Sequence, residues 1–172
     1  MDFRRVCAVD VGYRNFAFCV LDSSGIDTPV EWKHEDLWAP KPGRRGKPNK
    51  DDLVEITYAW CVRNRDLLAT CDGIILENQM RKGFIVMNTV IRTYFHDKTR
   101  VVHPMTVGSF FKMPKTRVQK KEFGVLLAKE HMPNWNCTTK ADDLADAWLM
   151  ACYGLVQMGA LSKKTFLTHE HD

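Results

Sequence analysis

Residues 4–11, with the sequence RRVCAVDV, are predicted to form the buried first strand of a sheet. Apolar side chains occupy both faces of this segment, and Asp10 lies on one of those faces near its end. Gly12 ends the strand, and residues 15–21, NFAFCVL, predict a second strand that folds back on the first. We therefore expect an antiparallel hairpin whose first strand ends in a carboxylate.

The rest of the chain alternates strands with helices. Hydrophobic periodicity and turn residues predict a poorer third strand at 29–38, short strands at 74–77 and 100–103, and helices at 51–71, 84–96, 118–131 and 139–157. Thr139 is the predicted N-cap of the last helix, with Asp142 three residues further on. This order predicts an α/β fold in which a mixed sheet, an antiparallel hairpin plus parallel strands, is flanked by helices.

Length and composition exclude several classes of protein. The chain has 172 residues, 45% of them hydrophobic and 27% charged, which suits a single globular domain over residues 1–172. No apolar run approaches the roughly 18 residues that a membrane helix needs, and residues 1–5 lack a signal-peptide pattern. The cysteines form no Cys-x-x-Cys pair, which disfavours zinc and redox sites. We expect an intracellular protein with no membrane partner.

Basic residues are concentrated in three places, although the net charge is only +4. Clusters of this kind in one small domain predict a polyanionic partner, the alternative being a solvated surface. Residues 40–50, PKPGRRGKPNK, have almost no apolar surface to bury, so we expect a flexible basic loop there. The candidates for DNA contact are Arg44, Arg45, Lys47, Arg81, Lys82, Lys112, Lys115 and Arg117.

Four carboxylates lie at the ends of predicted elements. Asp10 and Glu77 end strands, and Asp143 and Asp146 share one face near the start of the last helix. Each alone could open a turn, cap a loop or complement a helix dipole. Together they predict a site, because buried carboxylates cost several kcal/mol unless they are paired, protonated or bound to a metal. Oxygen ligands suit Mg²⁺ or Mn²⁺, and two such ions beside a basic surface suit phosphodiester hydrolysis.

Three segments carry a family resemblance: DVGYRN at 10–15, ILENQ at 75–79 and ADDLADA at 141–147. In this order, at these strand and helix ends, they resemble the RuvC-type Holliday junction resolvases. The resemblance is greatest to those of large DNA viruses of poxvirus and iridovirus type, with the fungal mitochondrial resolvases as more distant relatives. It extends from Arg4 to about Met158, nearly the whole chain.

The resemblance implies a ribonuclease H-like fold, a homodimer and paired nicks across a four-way DNA junction. It also implies two Mg²⁺ ions per site, for which Mn²⁺ can substitute, and a place at viral replication sites in the host cytoplasm or nucleus. The family acids fall on Asp10, Glu77, Asp143 and Asp146, with Asp142 a near rival of Asp143. A family basic residue falls on Lys120 or Lys121, between which the sequence does not choose. No family role carries onto residues 27–50.

Other functions remain open from the residues alone. A different ribonuclease H-fold nuclease, acting on RNA or an RNA–DNA hybrid, would share the acids and the metal ions. Asp10-Val-Gly before a second strand also resembles the phosphate loop of actin-like kinases and ATPases, which normally need two lobes. The complete acid set disfavours a catalytically silent DNA-binding module. Two apolar stripes make the helix at 84–96 the candidate dimer helix, the alternative being burial within one fold.

Overall fold

The sheet contains the predicted hairpin and the predicted parallel strands. The computed structural model describes residues 4–38, 46–132, 135, 137 and 139–166. Its five strands are β1 (Arg5–Asp10), β2 (Phe16–Asp22), β3 (Glu31–Glu35), β4 (Gly73–Glu77) and β5 (Thr99–Val102), in the order β3-β2-β1-β4-β5. β2 is antiparallel to both β1 and β3, whereas β4 is parallel to both β1 and β5. The mixed sheet predicted from the sequence is therefore confirmed.

Six α-helices surround this sheet in the described part of the chain. They are α1 (Lys50–Arg63), α2 (Arg65–Ala69), α3 (Lys82–Tyr94), α4 (Pro104–Phe110), α5 (Arg117–His131) and α6 (Ala141–Gln157), followed by a 3₁₀ turn at Lys163–Phe166. On one face of the sheet α6 packs against β1 and β2, and α4 and α5 pack against α6. The other face is covered by α1 and α3, which also pack on each other. None of the helices described is long and apolar enough to cross a membrane.

Three local predictions about helices were wrong. The single helix expected at 51–71 is interrupted at Asn64, whose side chain Nδ2 donates to the Trp60 carbonyl at 2.9 Å. Helix α4 was not predicted, although its start at Pro104 fits the preference for proline in the first turn of a helix. Thr139 does not cap α6: Lys140 precedes the helix in a left-handed conformation (φ 57°) and makes no side-chain cap.

Close packing of α6 on the sheet places its first turn at the sheet edge. Nearly every residue from 144 to 155 is buried. A Cβ added at Gly154 would lie 2.8 Å from Ile75 Cγ1 and 2.9 Å from Val6 Cγ1, so glycine is required for this approach. On the other face Trp60 of α1 packs at ring distances of 4.7 Å from Phe16 and 5.4 Å from Phe18. All six cysteines are free thiols.

Candidate active site

The ends of two neighbouring strands bring the first two acids together. β1 and β4 are parallel, with Val9 opposite Leu76, so Asp10 and Glu77 follow at the same edge of the sheet. The chain leaves this edge in a turn that only glycine allows, because a Cβ at Gly12 would lie 2.6 Å from the Asn15 carbonyl oxygen. The glycine of the DVG segment is thus explained by the turn that follows Asp10 at this edge.

Helix α6 adds the other two acids. Asp143 lies in its first turn and Asp146 one turn later, and both face the edge formed by β1 and β4. The result is a cleft of about 510 Å³ that contains all four predicted acids. Its polar lining consists of Asp10, Glu77, Asp143, Asp146, Asn15, Gln79, Arg81, Arg117, Lys120 and Lys121.

The acids disfavour one another's ionisation. Removal from water raises the pKa of Asp10 well above its usual value, and the charges of Glu77, Asp146 and Asp143 raise it further. Burial, followed by the charge of Glu77, raises the pKa of Asp146 from 3.8 to about 7. Burial and the neighbouring Asp142 also raise the pKa of Asp143. Such mutual repulsion requires the carboxylates to be close, and a cation or protons must offset it.

Glu77 is held by two amides that the sequence analysis did not single out. The Gln79 side chain donates from Nε2 to Glu77 Oε2 at 2.9 Å, and buried Asn88 of α3 donates from Nδ2 to the Glu77 carbonyl at 2.8 Å. Burial raises the pKa of Glu77, and the Gln79 hydrogen bond opposes that rise. Both amides left a signal: Gln79 belongs to the ILENQ segment, and Asn88 interrupts the apolar side of α3.

Lys121 is the lysine that is coupled to the acids. Its ammonium is paired with Asp142, which raises the pKa of Lys121, and the charges of Asp143 and Asp146 add to that rise. Burial alone would raise the pKa of Asp142, but the pairing with Lys121 holds it below its usual value. Asp142 is therefore engaged in an ion pair with Lys121 and is absent from the cleft lining, whereas Asp143 lines the cleft. This arrangement favours Asp143 over Asp142, as the sequence analysis did.

Comparison with known proteins identifies the family. The family model described as poxvirus A22 protein matches residues 4–157. The chain belongs to the poxvirus A22 protein family. Membership over most of the chain confirms the resemblance found in the three motifs. A comparison with curated protein sequences gives no match.

Three solved structures have folds similar to that of this A22 family member. The fowlpox virus resolvase, in complex with substrate Holliday junction DNA, has a TM-score of 0.61 at 16% identity, covering 90% of this chain and 98% of its own. The yeast mitochondrial Holliday junction resolvase Ydc2 has a TM-score of 0.64 at 16% identity, covering 96% and 84%. Thermus thermophilus RuvC has a TM-score of 0.55 at 10% identity, covering 91% and 97%. These likenesses confirm the ribonuclease H-like fold.

The basic residues of this A22 family member divide into two groups. Arg81 and Arg117 line the cleft, and the Arg81 guanidinium lies 5.8 Å from the Phe84 ring centre. The other described candidates are exposed and lie outside the cleft lining: Lys47, Lys82, Lys112 and Lys115. Arg44, Arg45 and most of the predicted basic loop lie outside the described residues. The cleft thus has basic groups at its wall, and the remaining candidates belong to the outer surface.

The donor set fits a hard divalent cation that keeps part of its water. All four acids offer oxygen, and the buried Oδ2 of Asp143 has no hydrogen-bond partner in the structure described. Within that same part of the chain, no three His, Cys, Asp or Glu side chains could hold a metal ion by themselves. Mg²⁺ does not need such a cage, because it commonly binds one or two carboxylates and completes its shell with water and phosphate oxygens.

Proposed function

We propose that this protein is a Mg²⁺-dependent endodeoxyribonuclease that resolves four-way DNA junctions by paired nicks. The observation that carries the proposal is the cleft in which Asp10, Glu77, Asp143 and Asp146 converge, each with a raised pKa. Further support comes from the A22 family match and from two neighbours in fold that are named as resolvases, the fowlpox virus protein in complex with Holliday junction DNA and the yeast mitochondrial Ydc2.

The four acids would hold the metal ions, two per site, with Mn²⁺ able to substitute for Mg²⁺. Bound ions would supply charge that activates a water molecule and stabilises the leaving 3′ oxygen. Gln79 and Asn88 fix the carboxylate and the backbone of Glu77. Lys121, with Arg81 and Arg117 at the cleft wall, would neutralise charge on the scissile phosphate.

Paired nicks need two active sites, and we propose a homodimer to supply them. In this structure α3 packs within the fold, since Met87 and Ile91 are buried beneath it. Both α1 and α3 leave large apolar side chains exposed, among them Tyr58 of α1 and Ile85 of α3, at 54% and 45% relative exposure. The dimer would bury these side chains. We further propose that each subunit is a single domain and that the protein acts at viral replication sites.

The decisive experiment offers the protein labelled four-way, three-way and linear DNA, together with an RNA–DNA hybrid. We expect symmetrical nicks in the four-way junction with Mg²⁺ or Mn²⁺, binding without cleavage with Ca²⁺, and no cleavage in EDTA. Full cleavage in EDTA would exclude the metal-dependent mechanism. Preferred cleavage of the hybrid would instead indicate a nuclease of the same fold that acts on RNA, and the proposal of a junction resolvase would be wrong.

Substitution of the acids tests the site itself. We expect Asp10→Asn, Glu77→Gln, Asp143→Asn and Asp146→Asn each to nearly abolish cleavage and largely keep junction binding, because the basic side chains that would contact phosphates are unchanged. Glu122→Gln is the matched control, since Glu122 is an exposed acid of α5 outside the cleft lining. An acid variant that cleaves as fast as Glu122→Gln would remove that residue from the site.

A further inference from the structure

Strand β3 contacts the first turn of α6 through two side chains on one face. Trp32 donates from Nε1 to the Leu144 carbonyl at 2.9 Å, across 112 residues of sequence. His34, two residues further along β3, points to the same face of the sheet. Its side chain comes within 3.8 Å of Asp143, the residue that precedes Leu144. β3 thus reaches one of the acids of the cleft.

The strand register explains why His34 can reach that far. Asp10 is opposite Ala17 on β2, and Ala17 is opposite His34 on β3, so the three side chains form one row across the sheet. The middle member is a buried alanine, whose small side chain leaves room above it for the imidazole. The row ends at the start of α6, which crosses this face of the sheet.

The two facing atoms have no other partner in the described structure. His34 Nε2 and Asp143 Oδ2 are both buried, and neither makes a hydrogen bond there. Leaving such groups unpaired is unfavourable, since each has lost water without gaining a partner. Their separation of 3.8 Å exceeds a hydrogen bond, and a side-chain movement of about 1 Å would close it.

We propose that His34 is a positioning residue that donates its Nε2–H to Asp143 Oδ2 and so orients this carboxylate toward the divalent cation. The neutral imidazole, with its proton on Nε2, is sufficient for this role. The inference rests on the proposed function, because it assigns His34 to the metal site described above. Carboxylates that bind metals are generally held by such outer hydrogen bonds, and loss of one commonly weakens metal binding about 10–100-fold.

The test measures Mn²⁺ binding to the metal-free protein by the electron paramagnetic resonance signal of free Mn²⁺. We expect His34→Leu, which removes the donor, to weaken Mn²⁺ binding about 10–100-fold. His34→Gln, whose amide retains a donor at similar reach, should bind nearly as the wild type does. In cleavage assays the half-saturating Mg²⁺ concentration should rise in His34→Leu, while the rate at saturating Mg²⁺ largely recovers.

Trp32→Phe is the matched control, because it removes the neighbouring β3–α6 hydrogen bond without touching an acid. It should lower the melting temperature and leave Mn²⁺ affinity unchanged. Wild-type affinity in His34→Leu would overturn the inference, as would equal losses of affinity in His34→Leu and Trp32→Phe. His34→Ala replaces His34→Leu if the latter does not fold.

Failure of the proposed function has a different signature. In that case the wild type itself would bind no Mn²⁺, or Asp146→Asn would bind it as well as the wild type does. Either result removes the metal site, and the role of His34 with it. When wild-type binding depends on Asp146 and His34→Leu has no effect, the metal site stands and only the His34 inference is overturned.

Discussion

Asp146→Asn should stabilise the metal-free protein at alkaline pH while abolishing its activity. In the folded protein the pKa of Asp146 is about 7, against a usual value of 3.8, because the carboxyl is buried beside Glu77. The folded state therefore binds this proton more tightly than the unfolded state does. Stability falls as pH rises from about 4 to about 7, and above that range the folded state carries the whole cost of the buried charge.

The size of the effect follows from the shift. At about 1.4 kcal/mol per pKa unit, a rise from 3.8 to about 7 makes ionised Asp146 cost up to roughly 4 kcal/mol at pH 8. Asparagine removes the charge but keeps a buried polar group, whose incomplete hydrogen bonding costs about 1–3 kcal/mol. We expect a net stabilisation of roughly 1–3 kcal/mol at pH 8 in EDTA. At pH 4, where folded Asp146 is protonated, this gain should disappear.

Urea denaturation in EDTA at pH 8 and pH 4 measures both values. Asp142→Asn is the matched control, because the pKa of Asp142 is lowered by Lys121 and the sign is reversed. Ionised Asp142 contributes stability above its unfolded pKa, which is lost as pH falls through its lower folded pKa, so its asparagine variant should be less stable at pH 8. The reasoning is refuted if Asp146→Asn is destabilised at pH 8, or if its gain is the same at both pH values.

Three further predictions concern other parts of the molecule. In single-turnover kinetics, Lys121→Met should slow cleavage about 100-fold or more, and Lys120→Met should have a smaller effect. Equal effects would contradict the choice of Lys121 over Lys120, which rests on the pairing of Lys121 with Asp142. Alanine at Arg44, Arg45 and Lys47 together should reduce the slope of log affinity against log salt by about 0.9 per lost phosphate contact, without moving the cleavage site. An unchanged slope would show that these three residues do not contact DNA phosphates. Gly154→Ala should cost about 1–3 kcal/mol of unfolding free energy, since its Cβ would meet Ile75 and Val6, and a variant as stable as the wild type would contradict that packing.

The sequence predicted those parts of the site whose geometry follows from chain direction. Asp10 and Glu77 end parallel neighbouring strands, and a three-residue spacing puts Asp143 and Asp146 on one side of a helix. The mixed sheet followed from the same local patterns, apart from the break at Asn64 and helix α4. These two features depend on side-chain hydrogen bonds and on proline at a helix start, which hydrophobic periodicity does not register.

The supporting side chains could not be predicted, because they depend on contacts between distant segments. Asn88 meets the Glu77 carbonyl from α3, and His34 meets Asp143 from a strand more than a hundred residues earlier. Lys121 could not be separated from Lys120 by type or position, and only its pairing with Asp142 distinguishes the two. A single sequence shows which residues are present, but it does not show which residues from distant segments lie close together in the fold.

Helix α6 couples the stability of the fold to the geometry of the site. Its segment from 144 to 155 fills the core on one face of the sheet, and its first turns carry Asp143 and Asp146. Repulsion among the acids opposes this docking whenever they are ionised without a cation, whereas Gly154 and the Trp32 hydrogen bond favour it. A cation bound between the acids would remove the repulsion and tighten the same contact. Divalent metal should therefore stabilise the protein more at pH 8 than at pH 5, and most strongly in the wild type, where all four carboxylates are present.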